Sequence, residues 1–222
     1  MAEQLIFDLP AGVALTAGDF FVSEANRTAF VMVTHPDGWP ERKLVLTGPA
    51  GSGKSHLARI FAEQNGARIV SAAALTEALQ HAKTPLVIED VEGLTSAGET
   101  ILFHLHNHMA EAKLPLLLTA QATPSRWKID LPDLASRMQA TTPTTIADPD
   151  DDLLSAVIIK LFADRQITPS PDLPAYLAVR IERSFQAAAD IVTAIDAAAL
   201  REKRKVNKAL AKQVIDAASS NG

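Results

Sequence analysis

The sequence predicts an α/β domain with a five-stranded, mainly parallel sheet and helices on both faces, followed by a small all-α domain. Short, continuously apolar runs alternate with helical stripes from Leu44 to Ala147, as strands buried on both faces require. The alternation stops at Asp148-Pro149-Asp150-Asp151-Asp152, beyond which every apolar pattern is helical. A glycine-rich turn joins the first of these strands to the first of these helices.

The residues through Leu9-Pro10 read as an arm, which divides the chain into 1–18, 19–147 and 148–222. Ser23 to Thr34 fits either structure. Phe30-Val31-Met32-Val33 has strand composition, whereas an N-cap candidate at Ser23 and the spacing of Ala25, Ala29 and Val33 suit a helix. His35 to Pro40 is a loop with two prolines and a glycine. Leu44-Val45-Leu46-Thr47 is the first buried strand, and Lys54 to Gln64 a helix with Leu57, Ile60 and Phe61 on one face. Ala67 to Ser71 is the second strand and Leu75 to His81 a short helix. Pro85 to Asp90 is the third strand, ending in two acids. Ser96 to Ala112 is a helix whose stripe is Ile101, Leu102, Leu105 and Met109. Leu114 to Ala120 is the fourth strand, Leu131 to Arg137 a short helix and Thr144 to Ala147 the fifth strand. Helices then follow at 153–166, 172–180, 184–201 and 206–217. The acids at 148–152 suit the positive end of the first of them.

Composition narrows the function. With 222 residues and 47% of them hydrophobic, the chain has enough apolar material for packed cores. A net charge of −5 argues against coating DNA or an anionic membrane. The absence of cysteine excludes disulfides, thiolate metal sites and a cysteine nucleophile. No run of 18 apolar residues and no basic leader before an apolar stretch occurs, so a cytoplasmic protein without a membrane partner is expected.

The strongest chemical signal is Gly48-Pro49-Ala50-Gly51-Ser52-Gly53-Lys54-Ser55, which matches the phosphate-binding pattern GxxxxGK[ST] in a strand–loop–helix context. Glycines let successive N–H groups turn toward phosphate oxygens, and the helix N-terminus adds its dipole. Lys54 would neutralise the β- and γ-phosphates, and Ser55 would offer its hydroxyl to Mg²⁺. His56 follows at the helix start and is grouped with the loop as a nucleotide contact. The acid pair at the end of the third strand fits the same chemistry, with Glu89 on the Mg²⁺ side and Asp90 polarising water. Thr119-Ala120-Gln121 ends the fourth strand, where Gln121 could report on the γ-phosphate. Either Arg137 or Arg183 could clamp phosphate charge, although as isolated residues both read first as surface arginines. Arg201, Lys203, Arg204, Lys205, Lys208 and Lys212 form a basic helical stretch without interleaved aromatics, which a solvated face also explains. His104, His106 and His108 point in three directions on one helix and are expected to be surface or partly buried residues.

In this order the motifs resemble the DnaA family of AAA+ ATPases, from about Asp19 to the C-terminal end, and within it the small Hda-like regulators. Asp19-Phe20-Phe21-Val22 with Asn26-Arg27 is similar to the segment that lies against adenine in that family, implicating Phe20 and Val22. The chain ends after the helical region without a helix-turn-helix DNA-binding domain. Leu131 to Met138 is similar to the segment carrying an arginine finger, which the resemblance assigns to Arg137, with Arg183 as the sensor 2 arginine. Gln4-Leu5-Ile6-Phe7-Asp8-Leu9 resembles a sliding-clamp-binding peptide, with Gln4 in a polar pocket and Leu5, Phe7 and Leu9 as its apolar part. The resemblance implies ADP or ATP with Mg²⁺ as cofactors, and DnaA and the sliding clamp as partners. It leaves open DNA contact through the clamp and a homo-oligomer. Two departures stand out: Gln121 replaces a usual acid, and Glu89-Asp90 replaces a usual Asp pair. The rival readings are an autonomous AAA+ motor or loader subunit with its own ATP turnover, and a nucleotide-dependent binding adaptor.

Overall fold

The computed structural model describes residues 15–16 and 20–219. They form two compact units, one of Asn26–Ala147 and one of Asp148–Gly222 with the described part of Met1–Ala25. In the second unit the two-residue strands β1 (Leu15–Thr16) and β2 (Phe20–Phe21) pair antiparallel.

The α/β unit opens with helix α1 (Arg27–Thr34), which settles the open segment. A strand would place Ala29, Val31 and Val33 on one face. The structure buries Ala29 and Val33 and leaves Val31 50% exposed, as a helix does. Trp39 secures α1 by donating from Nε1 to the Met32 carbonyl at 2.6 Å. Then come β3 (Lys43–Thr47), α2 (Lys54–Asn65), β4 (Arg68–Ser71), β5 (Leu86–Glu89), α3 (Ser96–Glu111), β6 (Leu116–Ala120), α4 (Pro132–Ala140) and β7 (Pro143–Thr145). The expected helix at Leu75–His81 is instead a pair of 3₁₀ turns, Ala72–Ala74 and Glu77–His81, because Leu75 and Thr76 adopt extended backbone between them.

The sheet order is β4-β5-β6-β3-β7, and every pairing in it is parallel. Alternating side chains serve two layers. Val45, Leu86, Ile88, Leu116 and Leu118 pack with Leu102, Leu105 and Met109 of α3 and Leu134 and Met138 of α4. Leu44, Leu46, Val87 and Leu117 point the other way, where α2 carries the buried Leu57, Ile60 and Phe61. Trp39 stacks on Phe61 with ring centroids 5.1 Å apart, which joins α1 to that layer.

The all-α part comprises α5 (Asp151–Asp164), α6 (Leu173–Ala178), α7 (Phe185–Glu202) and α8 (Lys208–Ser219). The Asp150 carboxylate caps α5 by accepting from Leu153 N at 2.7 Å, and Ser184 Oγ caps α7 from Ala187 N at 3.0 Å. Leu154, Ile158, Phe162, Leu177, Val192, Ile195 and Leu210 form its core, and Ala188 and Ala211 fill the narrow gaps. Among the described residues no helix is long and apolar enough to cross a membrane.

The N-terminal end of β3 holds a buried charge. The Lys43 side chain is only 2% exposed, and its Nζ lies 3.1 Å from Glu41 Oε2 and 3.2 Å from His106 Nδ1. His106 on α3 is thus buried, contrary to the surface or partial burial expected for the three histidines. Its stripe position was masked by its polar neighbours in sequence. Burial first, then the nearby charges of Lys43 and Arg137, push its pKa down from 6.5 to about 4. Burial likewise holds Lys43 below its ordinary value, opposed by the hydrogen bond and charge of Glu41.

A neutral His106 in the folded state makes stability fall as pH drops from about 6.5 toward 4, since the unfolded chain takes up the proton first. That window is worth up to about 3 kcal/mol for one such group. His106→Gln, which cannot titrate, should show a shallower loss in urea denaturation across this range. An identical pH slope for variant and wild type would contradict the assignment.

Candidate functional site

The phosphate-loop sequence occupies the turn between β3 and α2, both of which are held by the two-layer packing. Gly48 follows β3 at φ 156°, and a Cβ there would lie 2.9 Å from the Ile146 carbonyl and 2.9 Å from Ser52 Oγ. The chain beyond β7 therefore presses on the start of the loop. Gly53 closes the loop at φ 95°, a left-handed backbone that lets α2 begin at Lys54. The first N–H groups of α2 have no acceptor within the helix and point out of its N-terminus.

Lys54 folds back over the loop, its Nζ donating to the Gly48 and Pro49 carbonyls at 2.8 Å each. Burial lowers its pKa, while the charges of Asp90 and Glu92 raise it. These two acids thus face the lysine electrostatically. Ser52 Oγ and Glu89 Oε1 are buried oxygens with no hydrogen-bond partner among the described residues. Ser55 and Ala50 are exposed, and Pro49 and His56 are half-buried. This is a cradle for an anion with a cation inside it.

The acid pair lies at the end of β5. Glu89 is its last residue and Asp90 turns away at φ 56°, donating its N–H to Thr119 Oγ1 at 3.3 Å. Because β6 lies between β3 and β5, Gln121 sits between the loop and the acids at the same end of the sheet. Sequence reasoning missed Glu92. Its carboxylate accepts from Gln121 N at 2.9 Å and Ala122 N at 2.6 Å, tying the turn after β5 to the tip of β6. A lone acid in a 3₁₀ turn carries no sequence signal of this role.

The remaining candidate residues lie on other elements. Arg137 on α4 is exposed and lies over the Phe103 ring, 5.2 Å from its centroid. It is within electrostatic reach of Lys43 and His106, at the N-terminal end of β3, whereas the loop follows the C-terminal end. The buried Glu99 holds the start of α4, accepting from Asp130 N at 3.1 Å and Leu131 N at 2.8 Å. Phe20 (buried), Val22 (half-buried) and Arg183 belong to the other unit. There Arg183 forks onto Asp151, with Nε 3.0 Å from Oδ1 and an Nη 3.1 Å from Oδ2. Gln4, Leu5, Phe7 and Leu9 lie outside the described residues.

Among the described residues no group of three or more His, Asp or Glu is arranged to hold a metal. A magnesium ion on bound phosphates needs only one or two protein ligands. Ser55 and Glu89, with its unpartnered buried oxygen, fit that requirement.

The chain is similar to the chromosomal replication initiator protein DnaA of Cutibacterium acnes, at 24% identity over 90% of this chain and 45% of the initiator. Its fold matches domain III of the replication initiation protein DnaA from Thermotoga maritima. The TM-score is 0.70 at 17% identity, covering 89% of this chain and 93% of that one. The chain thus resembles DnaA in sequence and shares the fold of its domain III. AMPPCP-bound DnaA from Aquifex aeolicus also matches, with TM-score 0.63 and 16% identity over 80% of this chain and 63% of that one. No protein-family model matches the chain. This DnaA relative spans a little under half the length of the curated initiator it matches.

Gly48→Ala should destabilise the α/β unit by about 1–3 kcal/mol, since neither the Ile146 carbonyl nor Ser52 can be displaced without moving the loop. Urea denaturation measures this. Wild-type stability in the variant would show that the contact at Gly48 is slack.

Proposed function

We propose that the chain is an adenine-nucleotide-binding regulator of DNA replication initiation, docking on the sliding clamp and stimulating hydrolysis of DnaA-bound ATP. One observation carries the nucleotide part: a complete glycine-rich loop, with Lys54 buried against its own carbonyls and the charges of Asp90 and Glu92, just after β5, acting on it. In this reading nucleotide phosphates take over the Lys54 ammonium, and the N–H groups of the loop and of α2 surround them. Ser55 and Glu89 would hold a magnesium ion, which neutralises phosphate charge when bound. Asp90 would orient water and Gln121 would sense the γ-phosphate. Phe20, Val22 and His56 would contact the nucleotide, and Arg183 would serve as the sensor 2 arginine. The AMPPCP bound to the Aquifex DnaA supports an adenine nucleotide, ADP or ATP. The domains are assigned as a clamp-binding arm (1–18), an AAA+ domain (19–147) and a helical lid (148–222). A cytoplasmic site of action fits these roles.

The regulatory part rests on Arg137. Five residues of β3 separate its surroundings from the loop, about 13 Å at the usual rise per strand residue. That separation supports a role for Arg137 toward a neighbouring subunit's nucleotide and not its own. An arginine finger acting in trans raises hydrolysis by roughly 10³–10⁵ in the best-studied systems.

Lys54→Ala should weaken ADP and ATP binding at least about tenfold in calorimetry, since a charge-assisted contact is lost. Unchanged affinity would refute the phosphate site. Arg137→Ala should bind nucleotide and clamp normally yet fail to stimulate hydrolysis by ATP-loaded DnaA on DNA-loaded clamps. Full stimulation by that variant would favour the autonomous motor or the adaptor. Replacing Gln4, Phe7 and Leu9 with Ala should abolish clamp binding and spare ADP affinity. Co-elution of this triple variant with the clamp would exclude the arm.

A further inference from the structure

The helical unit contains a groove of about 780 Å³ unrelated to the phosphate loop in sequence. Its sides are the C-terminal end of α7, the segment after α5 and the link into α8, which the Ser170 N–H joins by donating to the Val206 carbonyl at 3.2 Å. Ile167, Pro169, Ala199, Leu200 and Val206 give it an apolar floor. Leu200 is 73% exposed, the largest exposure among the large exposed hydrophobics of the described residues.

The rim is cationic. Lys203, Arg204 and Lys205 follow one another along it. Arg204 is engaged by Glu202 at 2.7 Å and by Gln213 at 3.0 Å. Lys203 and Lys205 are exposed, and neither side chain makes an ion pair or hydrogen bond among the described residues. The acid on the groove wall, Asp196, already faces Arg165 at 3.9 Å. Two free ammonium groups thus remain beside an apolar trough, on a chain whose net charge is −5. A charge pattern opposite to that of the whole molecule marks a local preference for anions.

We propose that this groove binds an acidic peptide segment of a partner protein, with an apolar side chain set against Leu200 and Val206 and flanking carboxylates on Lys203 and Lys205. A nucleic-acid strand matches the surface less well. Single strands need aromatic platforms, which the groove lacks, and duplex surfaces meet polar, hydrated faces and not an apolar floor. The peptide mode needs one anchor in a greasy pocket and charges at its edge, and both are present.

The test uses the full chain and a fluorescein-labelled peptide of about ten residues, with central Leu and Phe flanked by Glu, read by fluorescence anisotropy. The control peptide carries Gln for every Glu, and labelled oligo-dT and a duplex of the same length complete the set. The acidic peptide should bind, lose affinity as salt rises, and exceed the Gln peptide by about tenfold or more. Lys203→Glu with Lys205→Glu should weaken it by about tenfold or more, and Leu200→Ser by about threefold or more. Both variants alter exposed side chains, and unchanged far-ultraviolet circular dichroism confirms their fold. No binding, equal affinity for the Gln peptide, or indifference to the substitutions overturns the proposal. Preferential binding of either nucleic acid, lost in the same variants, overturns it in favour of a phosphate-backbone surface. ADP affinity measured in parallel should stay unchanged, so failure here is distinguishable from failure of the nucleotide reading.

Discussion

The parallel ladder that holds β3 between β6 and β7 is the constraint from which the α/β unit is built. All five residues of β3 are buried, including Lys43 at one end and Thr47 at the other. Pairing on both edges and packing on both faces leave this strand no freedom of register. The chain must leave it at one fixed point, and Gly48 stands at that point. The Ile146 N–H donates to the Thr47 carbonyl at 2.8 Å, so the end of β7 and the start of the loop are locked together. An anion cradle on a loose strand would lose its geometry to chain entropy. On β3 the ordering is already supplied by the sheet.

The same logic explains why the acids and Gln121 converge without being neighbours in sequence. In a parallel sheet all strands end on one side, so β3, β5 and β6 deliver the loop, Glu89-Asp90 and Gln121 to one edge. Backbone bonds then trim their positions. Thr119 Oγ1 takes the Asp90 N–H, and Glu92 takes the N–H groups of Gln121 and Ala122. A carboxylate holding two amides is a strong tether even on an exposed turn. It links the turn after β5 to the tip of β6.

Much of this was legible in the sequence, because continuous apolar runs, helical stripes and the glycine-rich loop are each local signals. All five strands of the parallel sheet and the long helices lie where those signals put them, within a few residues at their ends. Three features were not legible, each for a physical reason. The segment at Leu75–His81 has helical composition, but two extended residues break it into 3₁₀ turns, a choice made by the path between β4 and β5. His106 shares its helix with His104 and His108, and only the partner side chain of Lys43, 63 residues earlier, explains its burial. Glu92 and Glu99 act on backbone amides about 30 residues away, contacts that no spacing pattern encodes. The candidate site was legible as chemistry, from the residue types of the loop and acids, and illegible as tethering.

The two ends of β3 differ in a way that bears on how the molecule divides its work. At the C-terminal end stand the first N–H groups of α2, a lysine donating to loop carbonyls and a buried carboxylate oxygen with no partner among the described residues. At the N-terminal end the polar groups largely satisfy each other: Lys43 meets Glu41 and His106, with Arg137 close by over Phe103. Glu41 reaches Lys43 from a left-handed backbone at φ 48°, so the loop before β3 accepts a disfavoured conformation to supply that carboxylate. Removing it would leave Lys43 and Arg137 as uncompensated positive charges beside the neutral His106. The arrangement therefore does more than bury a charge. It holds the surroundings of Arg137 close to neutral while leaving the guanidinium itself exposed on α4, whose start is clamped by Glu99. The two polar clusters thus stand at opposite ends of one buried strand, the exposed guanidinium near one and the glycine-rich loop at the other.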